Sequence, residues 1–483
     1  MHTQQPITSQ AITRIGLSIG VILASSFISM LLMHSSTLAI PMIATELKLT
    51  AETISWFTLL NILGNALLVL PAGKFTDIYG RRRMLCVGIT IAMAACFFSA
   101  GANSSLILLV GRFLQGVGGA FIFASALALV SCIPAEQQKA KLMGIYIAVC
   151  YLGVVGGPLF GGLVLEYFHW RWVFYIPGFV FLVTAIVGSV FLHWERYGDR
   201  NSRVRFLDTC LYMAALIMIA LATFRTHELL GQGLFAFGVL SFVVFCWFQS
   251  KLQDPLLQVT LFTNNSVFST LGLSHFFSNC AILALPFTVT LYLQYIKGID
   301  AQTAGFMLII QGVLTVIFSP LSGWLGARIR VRYLMLFSAI LVFVAMLILT
   351  ATTSATPLWV IVICLALIGL GIGLGDVQIV NASLASVENE LLGSASATLN
   401  GLRIMGGFVG IGTISYFIGQ GIGKQEITPQ VYPELIIVLQ KFFIFSSVLC
   451  FLALLTLCIG VWFRTKSKAM TSKKNQKISH ALH

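Results

Sequence analysis

Charge is what this sequence has least of. Only 9% of its 483 residues are charged, and acids are scarcer than bases, 16 Asp and Glu against 29 Lys and Arg. A chain that folds in water carries about a quarter charged residues. With 58% hydrophobic residues and a mean hydropathy of +0.94, an ordinary soluble domain is excluded. The net charge of +13 does not point to nucleic acid, because the bases sit in short loops and in a tail from Arg464 to Lys477, without an ordered basic face. A G-x-x-x-x-G-K-[ST] phosphate loop is missing. The stretch Gly419-Gln420-Gly421-Ile422-Gly423-Lys424 lacks the correct first glycine and the following Ser or Thr, and no loop is long enough for an ATPase domain. The ten cysteines lie in or beside apolar runs without metal-ligand spacing, so neither a metal nor a cofactor is expected. No cluster of nucleophile, base and acid stands out, and an enzyme is not expected.

What the chain does have is long apolar runs, each near the roughly 20 residues that a helix needs to cross a bilayer. Fourteen are expected, at 15–41, 53–72, 84–101, 104–130, 142–165, 172–193, 206–223, 231–250, 266–292, 302–325, 333–351, 357–381, 394–419 and 438–463. The positive-inside rule supports the count. With both termini and the even loops inside, 21 Lys and Arg fall on the cytoplasmic side and six on the other, while Arg112 and Arg403 lie within spans. The first span follows about a dozen polar residues and is too long for a signal-peptide core, so it is expected to stay as its own insertion signal. The expected class is an all-α polytopic membrane protein.

Between the second and third runs lies Gly73-Lys74-Phe75-Thr76-Asp77-Ile78-Tyr79-Gly80-Arg81-Arg82-Arg83. On its own this is a charged turn, and a topogenic basic loop would look similar. With an acid framed by two glycines, however, it resembles the G-x-x-x-D-x-x-G-R-R/K loop of the major facilitator superfamily. Ser319 to Arg332 echoes it in the second half, with Ala327 where Asp77 stands. The resemblance implies two six-helix bundles around a site near the midplane. The expected bundles are residues 1–194 and 266–463, with linkers and two extra central helices at 195–265 and a basic cytoplasmic tail at 464–483. In that family Gly73, Asp77, Gly80, Arg81 and Arg82 would latch a cytoplasmic gate, with Asp77 facing a neighbouring helix's N-terminus and the arginines pairing across the two halves.

Further motifs narrow the resemblance. Leu109 to Ala120 places Arg112 inside the fourth run, where an arginine costs roughly 2.5–3.5 kcal/mol to insert. It resembles R-x-x-Q-G-x-G-x-A, whose arginine is associated with proton coupling; the alternative is a structural arginine bonded to carbonyls of a neighbouring helix. In the fifth run, Gly153, Gly157, Pro158, Gly161 and Gly162 form G-x-x-x-G-P-x-x-G-G. Glycines four apart allow close helix packing and proline bends a helix. The full pattern resembles the motif of exporters that work as antiporters. Trp170-Arg171-Trp172 and the Gly393–Arg403 stretch, with its intramembrane Arg403, match the fourteen-helix drug:proton antiporter group. That resemblance implies export of small amphipathic or cationic compounds in exchange for protons, across a bacterial cytoplasmic membrane. A monomer is compatible with it, and an exporter or uniporter of an endogenous metabolite with little proton coupling is the alternative.

The chain departs from that group in its first helix. Counting back from Pro41, the position of the usual acid holds Leu32, and His34 is the titratable group nearby. Imidazole titrates near neutrality, so His34 is a candidate proton carrier or else a neutral interhelical hydrogen-bonding group. The acid well inside a span is Asp376, after Gly371, Gly373 and Gly375. An ionisable group there marks function by default, the alternative being a cap near the membrane edge. Proton-coupling candidates are therefore Asp376, His34, Arg112 and Arg403. Cavity candidates are Asn61, Asn65, Gln115, Tyr151, His275, Asn279, Gln311, Asn381 and Asn400, each of which could instead serve as an interhelical hydrogen bond.

Overall fold

The computed structural model describes residues 9–131, 136–192, 205–223, 229–252, 255–388 and 391–481. In hydrocarbon no water satisfies a free N–H or C=O, so a spanning chain must bond its backbone within helices. The described residues are accordingly helical: α1 (Ser9–Leu38), α2 (Ile40–Leu47), α3 (Ala51–Tyr79), α4 (Arg81–Ala100), α5 (Ser105–Ser131), α6 (Glu136–Tyr167), α7 (Trp172–Phe191), α8 (Phe206–Ala222) and α9 (Leu229–Gln249). There follow α10 (Thr260–Asn264), α11 (Ser266–Ile282), α12 (Leu285–Leu291), α13 (Ala301–Arg328), α14 (Val331–Leu349), α15 (Leu358–Leu384), α16 (Leu392–Gly421) and α17 (Tyr432–Ala481). Among the described residues, thirteen spans are long and apolar enough to cross a membrane, and α8, at Phe206–Ala222, is a shorter apolar helix where the remaining span is expected. The side chains of the basic tail, 464–483, and most of the linker before α8 lie outside the described residues.

Two details differ from the expected spans. The ninth is not one helix: α11 ends at Ile282, α12 resumes at Leu285, and a π turn at Tyr292–Ile296 follows. Residues 73–79 are not a loop but the last turns of α3, and the chain turns only at Gly80, where φ is 104°. Glycine alone adopts that angle cheaply, so one residue suffices to redirect the chain into α4.

The chain forms two compact units whose bounds cut across the expected bundles. The first gathers residues 1–245 with 286–312 and 411–438. Within it, helices meet backbone to backbone at glycines. A side chain at Gly116 on α5 would strike the Asn61 carbonyl of α3, and one at Gly118 would meet Ala92 N of α4 at 2.8 Å. Removing Cβ atoms is how helices gain van der Waals contact where lipid offers no hydrophobic drive. The extra helix α8 docks on α3 through the buried Tyr212, whose hydroxyl donates to the Ala66 carbonyl. Residues 286–312 and 411–438 join this unit because they pack on its helices: Gln294 donates to Leu38 O at 3.1 Å, and Ala51 N donates to Gln425 O at 2.8 Å.

The second unit comprises 246–285, 313–410 and 439–483. Asn265 caps α11 by accepting from Val267 N and Phe268 N, at 3.1 and 3.0 Å. On α15, Gly371 and Gly375 admit α14 at Ser338, while Gly373 admits α13 at Thr315 and Phe318. Gly406 and Gly410 on α16 lie against Phe276 and Cys280 of α11. Glycine pairing thus recurs in both units.

Candidate functional site

The first unit holds a cavity between α1, α3, α4, α5 and α7. Leu32, Met33, Asn61, Asn65, Gln115 and Phe123 are among its lining residues. Three expected cavity residues, Asn61, Asn65 and Gln115, therefore meet at one place. Leu32, standing where the first-helix acid was expected, faces them, so amides rather than a carboxylate supply the polarity of this lining. Tyr151 stands one turn before Val155 on α6 and Gln311 beside Gly312 on α13, outside this lining.

Behind the cavity wall, Arg112 is bonded rather than exposed. Its Nε donates to Phe57 O at 3.2 Å, one terminal nitrogen donates to Gln115 Oε1 at 2.7 Å, and the guanidinium lies 4.4 Å from the centre of the Phe57 ring. Gln115 donates onward to Ser99 Oγ at 3.1 Å, and Asn61 donates to the Arg112 carbonyl at 3.2 Å. The arginine ties α5 to α3 and fixes the two amides that line the cavity. Such a network offsets the cost of burying the charge.

The fifth-run glycines form a seam. Gly153, Gly157 and Gly161 on α6 meet α1 at Phe27–Leu31, His34 and Ser35, and Gly162 meets Ala301 and Gln302 at the start of α13. The carbonyl of Pro158 touches the place where Gly305 lacks a side chain, and Gly312 admits Val155. His34 is thus held in the α1–α6 contact, its Cβ against Gly157.

At the other end, the 73–83 segment is stitched within the first unit. Arg81 donates two bonds to Asp77 Oδ1, at 2.8 and 3.2 Å, and one to Ala128 O near the end of α5 at 3.1 Å. Arg82 donates to Ser189 O near the end of α7 at 3.2 Å. Asp77 thus pairs with the first residue of α4, at the N-terminus of the next helix, and the bonds described for Arg81 to Ala128 and for Arg82 to Ser189 run to carbonyls near helix C-termini, whose exposed carbonyls and dipoles attract cations.

The second unit brings together residues spread over three helices. His275 Nδ1 of α11 lies 3.1 Å from Asp376 Oδ1 of α15, with the histidine 3% and the aspartate 28% exposed. Asn279 donates to His275 O at 2.8 Å, and Arg403 of α16 is close enough to act electrostatically on Asp376. Since α15 continues to Leu384, Asp376 is not a helix cap. Asn381 is exposed on α15 and Asn400 lies one turn before Arg403; among the described residues neither bonds to the pair.

One cluster was not foreseen. Glu46 accepts from Trp170 Nε1 and Arg171, both at 2.6 Å, and lies 2.8 Å from His169 Nε2. The Arg171 bond is the main reason that the Glu46 carboxyl titrates below the usual glutamate range. The Trp-Arg-Trp signal was visible, but nothing in the sequence pointed to Glu46 as its partner.

Comparisons with known proteins agree with this architecture. The family model of the Major Facilitator Superfamily matches twice, over residues 22–268 and 267–481. The multidrug transporter protein MdtP of Bacillus subtilis is 28% identical over 289 residues, 58% of this chain and 52% of its own. The multidrug resistance protein Stp of Mycobacterium tuberculosis is 25% identical over 332 residues, 67% of this chain and 60% of its own. The chain thus spans a little over half the length of these relatives. The riboflavin transporter RibZ of Clostridioides difficile is 24% identical over 436 residues, 89% of this chain and 93% of its own. Among solved structures, a bacterial homologue of the human lysosomal transporter Spinster, inward-facing and unoccupied, superposes with a TM-score of 0.63 at 16% identity, over 92% of this chain and 97% of that one. With both halves of its length matched by the family model and its helices arranged in the same fold, the chain belongs to the major facilitator superfamily.

Proposed function

We propose that this protein is a secondary active exporter that moves small amphipathic or cationic compounds out of a bacterial cell in exchange for protons, by alternating access. Both termini and the basic loops face the cytoplasm in this reading, and a monomer suffices. The observation that carries it is the glycine–proline seam of α6, packed against α1 on one side and the first turns of α13 on the other. A seam without side chains joins helices closely and parts without unthreading them, as a gate must. The small cavity of the first unit, about 30 Å³ in volume, sets Asn61, Asn65 and Gln115 among Leu32, Met33 and Phe123; in this reading it widens during the cycle, and its mixed amide and apolar walls are a surface that amphipathic cargo passes. The similarity to the multidrug proteins MdtP and Stp points the same way. The test is dye efflux in inverted membrane vesicles with an imposed pH gradient. Transport should stop when an ionophore collapses the gradient, and indifference to the collapse removes proton exchange.

A second reading is export or uniport of an endogenous metabolite with weak proton coupling. Leu32 favours it, because this cavity lacks the acid that would bind a cation or a proton there. The name of RibZ, which aligns over most of both chains, supports it as well. Transport of a neutral metabolite that ignores the pH gradient would establish it.

A further inference from the structure

The lining of the first unit's cavity holds no carboxylate, whereas the second unit contains an acid within a span, touching a histidine and within electrostatic reach of an arginine. We propose that the His275–Asp376 pair, balanced by Arg403, is where the exchanged proton is held, and that an organic cation competes with it there. This rests on the proton-exchange reading above.

The geometry defines the states. With Asp376 ionised, its oxygen 3.1 Å from His275 Nδ1 accepts from that nitrogen, in preference to the Asn279 amide 3.4 Å from the same atom. Asn279 holds the backbone of the same turn through its bond to His275 O. In this proposal the Nδ1 proton stays in the bond to Asp376, and an arriving proton enters at Nε2, giving an imidazolium against the carboxylate. Before it arrives, neutral His275, anionic Asp376 and cationic Arg403 sum to zero. Loading the proton brings the cluster to one positive charge. An organic cation seated by Asp376, whose side chain is 28% exposed, brings it to the same value without the proton. Holding both would place like charges within a few ångströms in a poorly screened interior, so the two exclude each other.

Among the described residues, His275 and Arg403 are the charged or titratable groups acting on Asp376. Around the pair, α17 accepts a bond from Ser274 at Ala453 O, α14 meets α15 at Ser338 and Val342, α13 meets it at Thr315 and Phe318, and α16 packs on α11 at Asn279 and the thiol-bearing Cys280. Glycines at 371, 373 and 375 let α13 and α14 close on α15 within the turns before Asp376, which fixes the carboxylate's position.

The experiment uses the full chain in proteoliposomes with tetraphenylphosphonium as the probe cation. The wild type should accumulate the probe under a pH gradient and bind it about tenfold more weakly per pH unit on acidification, as one competing proton requires. Asp376→Asn and His275→Gln should abolish gradient-driven accumulation. His275→Gln, which keeps an N–H donor but cannot take the added proton, should also flatten the pH dependence of binding. Arg403→Gln should reduce the proton release that accompanies probe binding. Asp376→Glu should restore part of the drive, and the exposed Glu426→Gln should match the wild type. If the wild type itself ignores the gradient, proton exchange falls and this site with it. If the wild type is driven and Asp376→Asn remains driven, the site alone falls. It also falls if Asp376→Glu is as inactive as Asp376→Asn while unfolding at the wild-type temperature.

Discussion

Two neighbouring glycines on α6 provide the sharpest test of the seam. A Cβ at Gly157 would lie 2.6 Å from His34 Cβ, 2.9 Å from Leu31 O and 3.2 Å from Ser35 N. One at Gly156 would find only Leu31 Cδ1, at 3.9 Å. Carbon atoms pack comfortably at about 3.5–4.0 Å. Gly157→Ala must therefore push α1 away by about an ångström, and the atoms it meets are backbone and Cβ, which cannot rotate aside. Overpacking of this kind costs about 1–3 kcal/mol. Both substitutions gain the same roughly 1 kcal/mol of helix propensity, so the difference between them isolates the steric cost. Gly156→Ala should be neutral or stabilising, and Gly157→Ala should unfold below it by a few degrees, read from thermal unfolding of purified protein. Because His34 sits in the same contact, Gly157→Ala should also slow efflux while Gly156→Ala does not. Equal unfolding midpoints for the two variants would refute close α1–α6 packing at this seam.

Three further outcomes follow from separate contacts. Tyr212→Phe removes the bond to Ala66 O that ties α8 to α3 and should cost about 0.5–1.5 kcal/mol in unfolding, with little change in transport of a saturating substrate. Glu46→Gln should lower the thermal midpoint at neutral pH. Because the folded-state pKa of Glu46 is depressed, that contribution is complete above the ordinary glutamate value of about 4.3 and disappears as pH falls through the lower folded value, so the two midpoints should converge only at more acidic pH. Leu32→Asp places the missing carboxylate among Asn61, Asn65 and Gln115, and at alkaline pH should tighten cationic dye binding relative to the wild type on the order of tenfold, or 1.4 kcal/mol. Binding equal to that of the wild type at every pH would show that Leu32 does not face the cargo.

The span pattern was legible because hydrocarbon allows little choice: a backbone that cannot bond to water must be helical and about 20 residues long. Motif glycines were legible as packing points for a related reason, since lipid gives no reward for burying Leu over Gly. The same uniformity hides which way each helix faces. A helix that is apolar all round carries no amphipathic stripe to orient it, so Asn61, Asn65 and Gln115 converge on a cavity while Asn381, chosen on the same grounds, is exposed on α15. Charges were easy to find and hard to pair. Arg112 stood out by its cost, yet its partners are the Phe57 carbonyl and an amide one turn away, which no charge pattern announces. Asp376 stood out equally, and its contact with His275 depends on how α11 crosses α15, a consequence of tertiary packing. Leu32 stands where a first-helix acid was expected, and the other unit carries a His–Asp pair with a half-buried carboxylate. A transporter that couples to protons needs one titratable site that cargo can displace, and the chemistry does not dictate which bundle carries it.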